Sequence, residues 1–133
     1  MKVFVDTGAW LALNDKHDQF FEKAMEVRRR IEKDKIELIT SDFVFDESLT
    51  FIRYRVSHEV AVLFGSSIMH STIVTMMSVD NDVLHQAFEI FKKYKDQAFS
   101  LTDCTSFVLM KRLKLRTCFT FDSHFSQMGF SLL

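Results

Sequence analysis

Proline is absent from this chain of 133 residues, although average usage would give about six or seven. Its absence removes a common signal for helix ends, so helices are placed by hydrophobic periodicity. No apolar run approaches the roughly 18–20 residues that span a bilayer. Met1 and Lys2 lead directly into a short apolar run, so no signal peptide is expected. We therefore expect a cytoplasmic protein without a membrane segment.

Cysteine and net charge are both low. The two cysteines, Cys104 and Cys118, lack the spacing of a metal or redox motif, so free thiols in a reducing cytosol are expected. The net charge of −1 gives no global sign of nucleic-acid binding, which would have to come from local patches. With 15 phenylalanines available for a core, the length predicts a single domain spanning residues 1–133.

Short apolar runs alternate with amphipathic stretches along the chain. The runs predict strands at 2–6, 36–40, 72–77, 98–100 and 116–121, with an edge strand at 130–133. Apolar spacings of three and four predict helices at 17–33, 42–55, 57–69, 80–95 and 102–114. Because strands separated by helices pair in parallel, the pattern predicts an α/β fold with helices on both faces of a mostly parallel sheet.

Four carboxylates lie at similar junctions, each shortly after a predicted strand. We call them the acidic quartet: Asp6, Glu47, Asp103 and Asp122. The carboxyl ends of parallel strands share one edge, where ligands bind. Four acids converging there would repel one another unless a cation neutralised them. Since all these ligands are oxygens, the pattern favours magnesium or manganese over zinc, and such an ion suits phosphate-ester chemistry.

Two members of the acidic quartet also have a structural explanation. Asp6 and Thr7 could cap a helix over residues 9–14, because both residue types favour that position. Ser100 and Asp103 have the spacing of a capping box, in which the helix dipole stabilises the carboxylate. The same field would keep Asp103 ionised as a metal ligand, so capping and metal binding are compatible.

The other two acids have close neighbours that complicate the choice. Asp46 and Glu47 could form a solvated pair, but Glu47 shares a helical stripe with apolar residues and is preferred, with Asp46 second. Asp122 is followed two residues later by His124. A lone histidine on a surface turn is more often a bystander than a general base, and the remaining histidines show no zinc-ligand spacing.

The order and spacing of four segments resemble a PIN-domain protein, and most closely the short VapC-type toxins of bacterial and archaeal toxin–antitoxin pairs. The segments are Val3-Phe4-Val5-Asp6-Thr7, Asp46-Glu47-Ser48, Leu101-Thr102-Asp103-Cys104 and Thr120-Phe121-Asp122-Ser123-His124-Phe125. The resemblance implies a three-layer α/β/α fold around a parallel sheet of about five strands. It also implies a ribonuclease, dependent on Mg²⁺ or Mn²⁺, that hydrolyses RNA phosphodiesters by in-line attack of water.

The resemblance further implies roles for residues and partners. The acidic quartet would hold the metal and carry catalysis, with supporting hydroxyls from Thr7 and Thr120. Gly8 stands where many relatives carry Ser or Asn, which would remove one hydrogen bond. Proteins of this kind usually form homodimers, and many are inhibited by a small antitoxin whose tail enters the acidic cleft.

Two basic clusters could bind RNA phosphates beside the metal. Arg53 and Arg55 end the helix that carries Glu47, while Lys111 and Arg112 lie near Lys114 on a later helix. Each cluster could equally be an ordinary solvated helix face. If either binds RNA, the affinity should fall steeply with salt.

Other functions fit the residues less well than a toxin nuclease. A response-regulator receiver normally needs a late lysine, whereas the last strand here ends in Thr120-Phe121-Asp122. A haloacid-dehalogenase-type phosphatase needs Asp-x-Asp after the first strand, and Asp6-Thr7-Gly8 lacks the second acid. An RNA-processing nuclease that is not a toxin, and an inert RNA- or protein-binding module of the same fold, remain the alternatives.

Overall fold

The computed structural model describes all 133 residues as a five-stranded parallel sheet with seven helices. The elements are β1 (Lys2–Val5), α1 (Thr7–Asn14), α2 (Phe21–Asp34), β2 (Glu37–Ser41), α3 (Asp42–Arg55), α4 (His58–Met69), β3 (Val74–Met77), α5 (Asn81–Lys93), α6 (Leu101–Arg112), β4 (Thr117–Phe119), α7 (His124–Gln127) and β5 (Ser131–Leu132). All strand pairs are parallel, and the strand order is β3-β2-β1-β4-β5.

Strand β1 lies at the centre of the sheet, between β2 and β4. Its residues Val3, Phe4 and Val5 are all completely buried, although successive side chains of a strand point to opposite faces. Burial on both sides requires helices on both faces, as is usual for parallel sheets. The predicted three-layer α/β/α fold with a parallel sheet of about five strands is therefore confirmed.

The sequence-based boundaries were wrong in two places. Residues 98–100 form no strand, and the fifth strand is β5, which lies within the edge strand predicted at 130–133. The amide of Ser100 bonds the Asp103 side chain at 3.1 Å, which removes a donor from any strand ladder. The helix predicted over 17–33 begins only at Phe21, because the Asp18 carboxylate accepts the Phe20 N–H at 2.8 Å. Such local bonds favour turns over helix.

An aromatic cluster packs the middle of α6 against the last segment of the chain. The ring of Phe107 packs edge-on against Phe99 and Phe125, with centroids 5.2 Å and 5.0 Å away. Phe130 also packs against Phe107, at 6.1 Å. Aromatic contacts of this kind combine large buried areas with preferred geometries. They therefore fix α6 relative to the β4–α7 segment, from which one of the four acids comes.

A buried hydrogen-bond chain joins α1 to the two central strands. The indole Nε1 of Trp10 donates to Oγ1 of Thr40 at 3.3 Å. That hydroxyl donates in turn to the carbonyl oxygen of Val5 at 3.1 Å. Since a buried polar group is costly unless it is bonded, these contacts specify the position of α1 at the end of β1.

Both cysteines are buried and free, which confirms the prediction of unpaired thiols. Burial raises the pKa of Cys104 to about 11 and raises that of Cys118 well above its ordinary value. Neutral, buried thiols are poor nucleophiles, so neither residue is a candidate for covalent chemistry. None of the helices combines the length and apolar character needed to cross a membrane.

Candidate metal centre

The candidate site lies at the point where the strand order of the sheet changes direction. From β1, strands β2 and β3 continue to one side and β4 and β5 to the other. Open α/β sheets bind ligands in the crevice outside the carboxyl ends of the strands at such a point. Asp6 directly follows β1, and its N–H donates to the carbonyl of Phe119 at the end of β4, at 3.1 Å. Asp122 comes three residues after Phe119.

All members of the acidic quartet line a single cleft of about 490 Å³. Glu47 enters it from the second turn of α3, and Asp103 from the first turn of α6. Asp46 is exposed and does not line the cleft. The structure thus brings the four acids together and selects Glu47 rather than its neighbour.

Thr120 links the two acids that follow β1 and β4. Its hydroxyl donates to Oδ2 of Asp6 at 3.0 Å and accepts the N–H of Asp122 at 3.0 Å. The side chain is 5% exposed, so both bonds are shielded from water. One hydroxyl therefore sets the relative position of two carboxylates that are 116 residues apart in the sequence.

Asp6 is the most electrostatically perturbed acid of the site. Its pKa is raised from 3.8 to about 7, mainly because burial disfavours the charged form, and next because Asp103 is negative. The charge of Asp122 adds to the rise, while bonds from the Thr7 amide and the Thr120 hydroxyl oppose it. Without a counterion Asp6 is thus partly protonated near neutral pH, and a bound cation would restore its charge.

One carboxylate oxygen of Asp103 caps helix α6, and the other is free to bind a metal ion. Its Oδ2 accepts the N–H of Ser100 at 3.1 Å, and its own N–H bonds the Ser100 hydroxyl at 2.9 Å. The predicted capping box is confirmed. Burial raises the pKa of Asp103, the Ser100 amide opposes this rise, and the charges of Asp122 and Glu47 add to it. The hydrogen bond of the capping box occupies Oδ2, which leaves Oδ1 available to a metal ion.

His124 lies beside the acids rather than apart from them on a surface turn. Its side chain is 21% exposed, and Nδ1 lies 3.2 Å from Oδ1 of Asp122 and 3.8 Å from Oδ2 of Asp103. Nδ1 is buried without a properly oriented hydrogen bond, and the ring packs edge-on against Phe99 at 4.9 Å. Potential ligand atoms of His124, Asp103 and Asp122 all lie within 4.8 Å of one another. The Asp-x-His spacing was the only sequence signal for this placement.

The donor set fits a hard divalent cation. Besides the four carboxylates, the cleft is lined by Thr7, whose buried Oγ1 has no hydrogen-bond partner. Buried hydroxyls without partners are rare, and an unpaired oxygen beside converging carboxylates is suited to a metal or to its water. Ligands of this type are those that Mg²⁺ and Mn²⁺ prefer.

The basic residues predicted to bind RNA are dispersed by the fold. Arg55 lines the acidic cleft, whereas Arg53 faces a separate groove between α3 and α4. Arg112 pairs with two carboxylates at the beginning of α5, each at 3.1 Å. Lys111 is exposed and does not line the cleft. Of these basic residues, Arg55 is therefore the one placed to contact a substrate bound in the acidic cleft.

Comparison with known proteins defines the class to which this fold and cleft belong. The sequence model of the PIN domain matches residues 3–131. The chain therefore belongs to the PIN-domain family, as the four acidic segments indicated.

Two comparisons lead to one particular relative. The chain is 32% identical over 129 residues to the 23S rRNA-specific endonuclease VapC20 of Mycobacterium tuberculosis, in strains CDC 1551 and H37Rv, covering 96% of this chain and 95% of the relative. The crystal structure of that VapC20, described as a Sarcin-Ricin loop cleaving toxin, matches with a TM-score of 0.86 and 31% identity over 96% of this chain and 95% of that one. The chain is thus homologous to VapC toxin ribonucleases.

More distant structures share the fold alone. VapBC2 from Rickettsia felis, solved with a DNA fragment from its promoter, matches with a TM-score of 0.69 at 12% identity, covering 100% of this chain and 98% of the other. FitAcB from Neisseria gonorrhoeae matches with a TM-score of 0.69 at 14% identity, covering 100% and 96%. These likenesses support the assignment of the fold.

Proposed function

We propose that residues 1–133 act as one Mg²⁺- or Mn²⁺-dependent endoribonuclease domain, the toxin of a toxin–antitoxin pair. The observation that carries the proposal is the convergence of four carboxylates in one cleft, where burial and negative neighbours raise the pKa of Asp6 to about 7. The relationship to VapC20, a 23S rRNA-specific endonuclease, supports RNA as the substrate.

We assign the metal ligands to the acidic quartet, with the Thr7 hydroxyl beside them. A divalent ion bound there would polarise a phosphoryl oxygen and lower the pKa of a bound water. The surrounding bonds hold the carboxylates in place. Thr120 orients Asp6 at 3.0 Å, and the N–H of His124 donates to Oδ1 of Asp122 at 2.9 Å. Such outer contacts fix ligand geometry and influence metal affinity.

The test is a cleavage assay with the purified protein and a ribosomal sarcin–ricin-type RNA hairpin, chosen because VapC20 is described as cutting that loop. We expect endonucleolytic products with Mn²⁺ or Mg²⁺, none in excess chelator, and recovery when metal is restored. Absence of metal-dependent cleavage of both the hairpin and total RNA would contradict the assignment as a nuclease.

Arg55 is proposed to bind a phosphate next to the cut. Replacing Arg55 with glutamine should weaken RNA binding and reduce the slope of log affinity against log salt by about one, the change expected for one lost phosphate contact. Arg53→Gln is the matched control, because Arg53 lies in the last turn of the same helix but outside the cleft. RNA affinity measured between about 50 and 200 mM salt distinguishes them. Equal slopes for the two variants would exclude a specific role for Arg55.

Exposed apolar side chains on two helices support the proposal that the chain binds partner proteins. Leu63 and Met69 of α4 are more than 60% exposed, and Phe88 and Phe91 of α5 are more than 40% exposed. Contiguous exposed apolar patches often mark protein interfaces, and the rings of Phe88 and Phe91 stack with centroids 6.4 Å apart. With the relationship to VapC toxins, they support our proposal of a homodimer and of a small antitoxin that binds it, both in the cytoplasm.

A further inference from the structure

Two phenylalanines lie beside the acids in the same cleft and have no part in the metal centre. Phe20 lies directly before α2, and Phe121 directly before Asp122. Their rings are stacked, with centroids 4.6 Å apart and planes inclined by 2°. Both side chains are only partly buried, and both line the cleft. Part of this aromatic pair is thus exposed next to a carboxylate of the site.

The aromatic pair is held in place from the sheet side. Phe121 packs edge-on against Phe119 of β4, with centroids 5.9 Å apart, and Phe119 is 1% exposed. On the other side, the N–H of Phe20 is bonded to Oδ1 of Asp18 at 2.8 Å. A surface that is already ordered loses little conformational freedom when a ligand binds.

The rest of the cleft is polar, which makes the aromatic pair distinctive. Only three of the thirteen lining residues are hydrophobic, and Phe20 and Phe121 are two of them. An RNA chain offers phosphates to the basic and metal-binding groups and bases to aromatic rings. Stacking of an unpaired base on an aromatic side chain is the usual means by which proteins hold single-stranded RNA.

We propose that Phe20 and Phe121 form a stacking platform that holds an unpaired nucleobase next to the scissile phosphate. The inference rests on the proposed nuclease function and adds how the substrate is presented. Because Phe121 and Asp122 are consecutive, a base on the platform belongs to a nucleotide whose phosphate lies close to the acids. The site therefore selects loops and unpaired segments over continuous duplex, because a paired base must first be unpaired and unstacked, which costs free energy, before it can stack on the platform.

The experiment combines a ring substitution with removal of the base. After the cut is mapped on the RNA hairpin, kcat/KM is measured for RNAs that carry one abasic position on either side of it. The wild type should lose about tenfold or more at one of these positions, the range found for one base–aromatic stack. On intact RNA, kcat/KM of Phe20→Leu should be lower than that of the wild type by a similar factor, mainly through a higher KM. For this variant, the abasic RNA should be cleaved with almost the same kcat/KM as the intact RNA. Phe20→Trp should retain the dependence on the base.

The control is Tyr54→Leu, since the aromatic side chain of Tyr54 on α3 is 80% exposed and does not line the acidic cleft. This variant should keep the full penalty for the abasic RNA. If Phe20→Leu and the abasic position gave independent, multiplicative losses, the pair would only fasten the α1–α2 segment to the sheet, and the platform would be disproved.

A second measurement does not depend on the folding of the variants. A 2-aminopurine placed at the sensitive position should change its fluorescence when the wild-type protein binds, because the base exchanges its stacking neighbours. Unchanged emission on binding would contradict the platform. Wild-type cleavage that ignores both abasic positions would overturn the platform alone, whereas absence of metal-dependent cleavage would overturn the nuclease proposal itself.

Discussion

Replacing Asp103 with asparagine is expected to lower metal-dependent RNA cleavage by about three orders of magnitude while leaving α6 capped. The amide oxygen of asparagine can still accept the Ser100 N–H, which bonds Asp103 at 3.1 Å. The variant loses a negatively charged metal ligand. Metal-assisted catalysis stabilises the transition state by several kcal/mol, and a loss of about 4 kcal/mol corresponds to three orders of magnitude in rate. Single-turnover cleavage with saturating Mn²⁺ measures the loss, and urea unfolding verifies that the fold is retained.

Asp46→Asn is the matched control for that experiment. Asp46 is an exposed carboxylate next to Glu47, and its side chain lies outside the cleft. The same change of charge at this position should alter cleavage less than twofold, since the charge of an exposed side chain is screened by solvent and salt. A cleavage rate for Asp103→Asn within tenfold of the wild type would exclude this carboxylate as an essential ligand.

Much of the fold could be predicted because its central strand has an unmistakable pattern. The continuous apolar run Val3–Val5 is what a strand buried on both faces requires, and the structure buries all three side chains completely. The errors occurred where pairing depends on distant residues. Residues 98–100 resemble a strand locally but have no strand beside them, whereas β5, predicted as an edge strand at 130–133, pairs with β4.

The acids of the site and a supporting hydroxyl at Thr120 could be predicted, but the bonds that position them could not. Parallel topology alone brings Asp6 and Asp122 to one edge of the sheet. The positions of His124 and Thr120 depend on tertiary packing: the His124 ring is held against Phe99, and the Thr120 hydroxyl bridges β1 and β4. Neither contact has a periodic signature, because each joins segments that are far apart in the sequence.

The second large effect concerns stability, which in the metal-free protein should fall as the pH rises from about 4 to 8. The pKa of Asp6 is raised from 3.8 to about 7 by burial and by neighbouring carboxylates. Between these two values the folded state binds more protons than the unfolded state, so raising the pH favours unfolding. A rise of this size in the pKa of one carboxyl group corresponds to a loss of about 4 kcal/mol at most. The raised pKa of Asp103 acts in the same direction.

Urea unfolding in chelator at about pH 4 and pH 8 measures this loss, and Asp6→Asn isolates its source. The asparagine side chain cannot ionise, so the variant should be more stable than the wild type at the higher pH and show a much smaller pH dependence. Added Mn²⁺ should stabilise the wild type most at the higher pH, where binding needs no proton release, and the variant far less. A metal-free wild type whose stability did not decline over this range would show that Asp6 is not held among uncompensated negative charges, and a cation in this cleft would lose its main physical support.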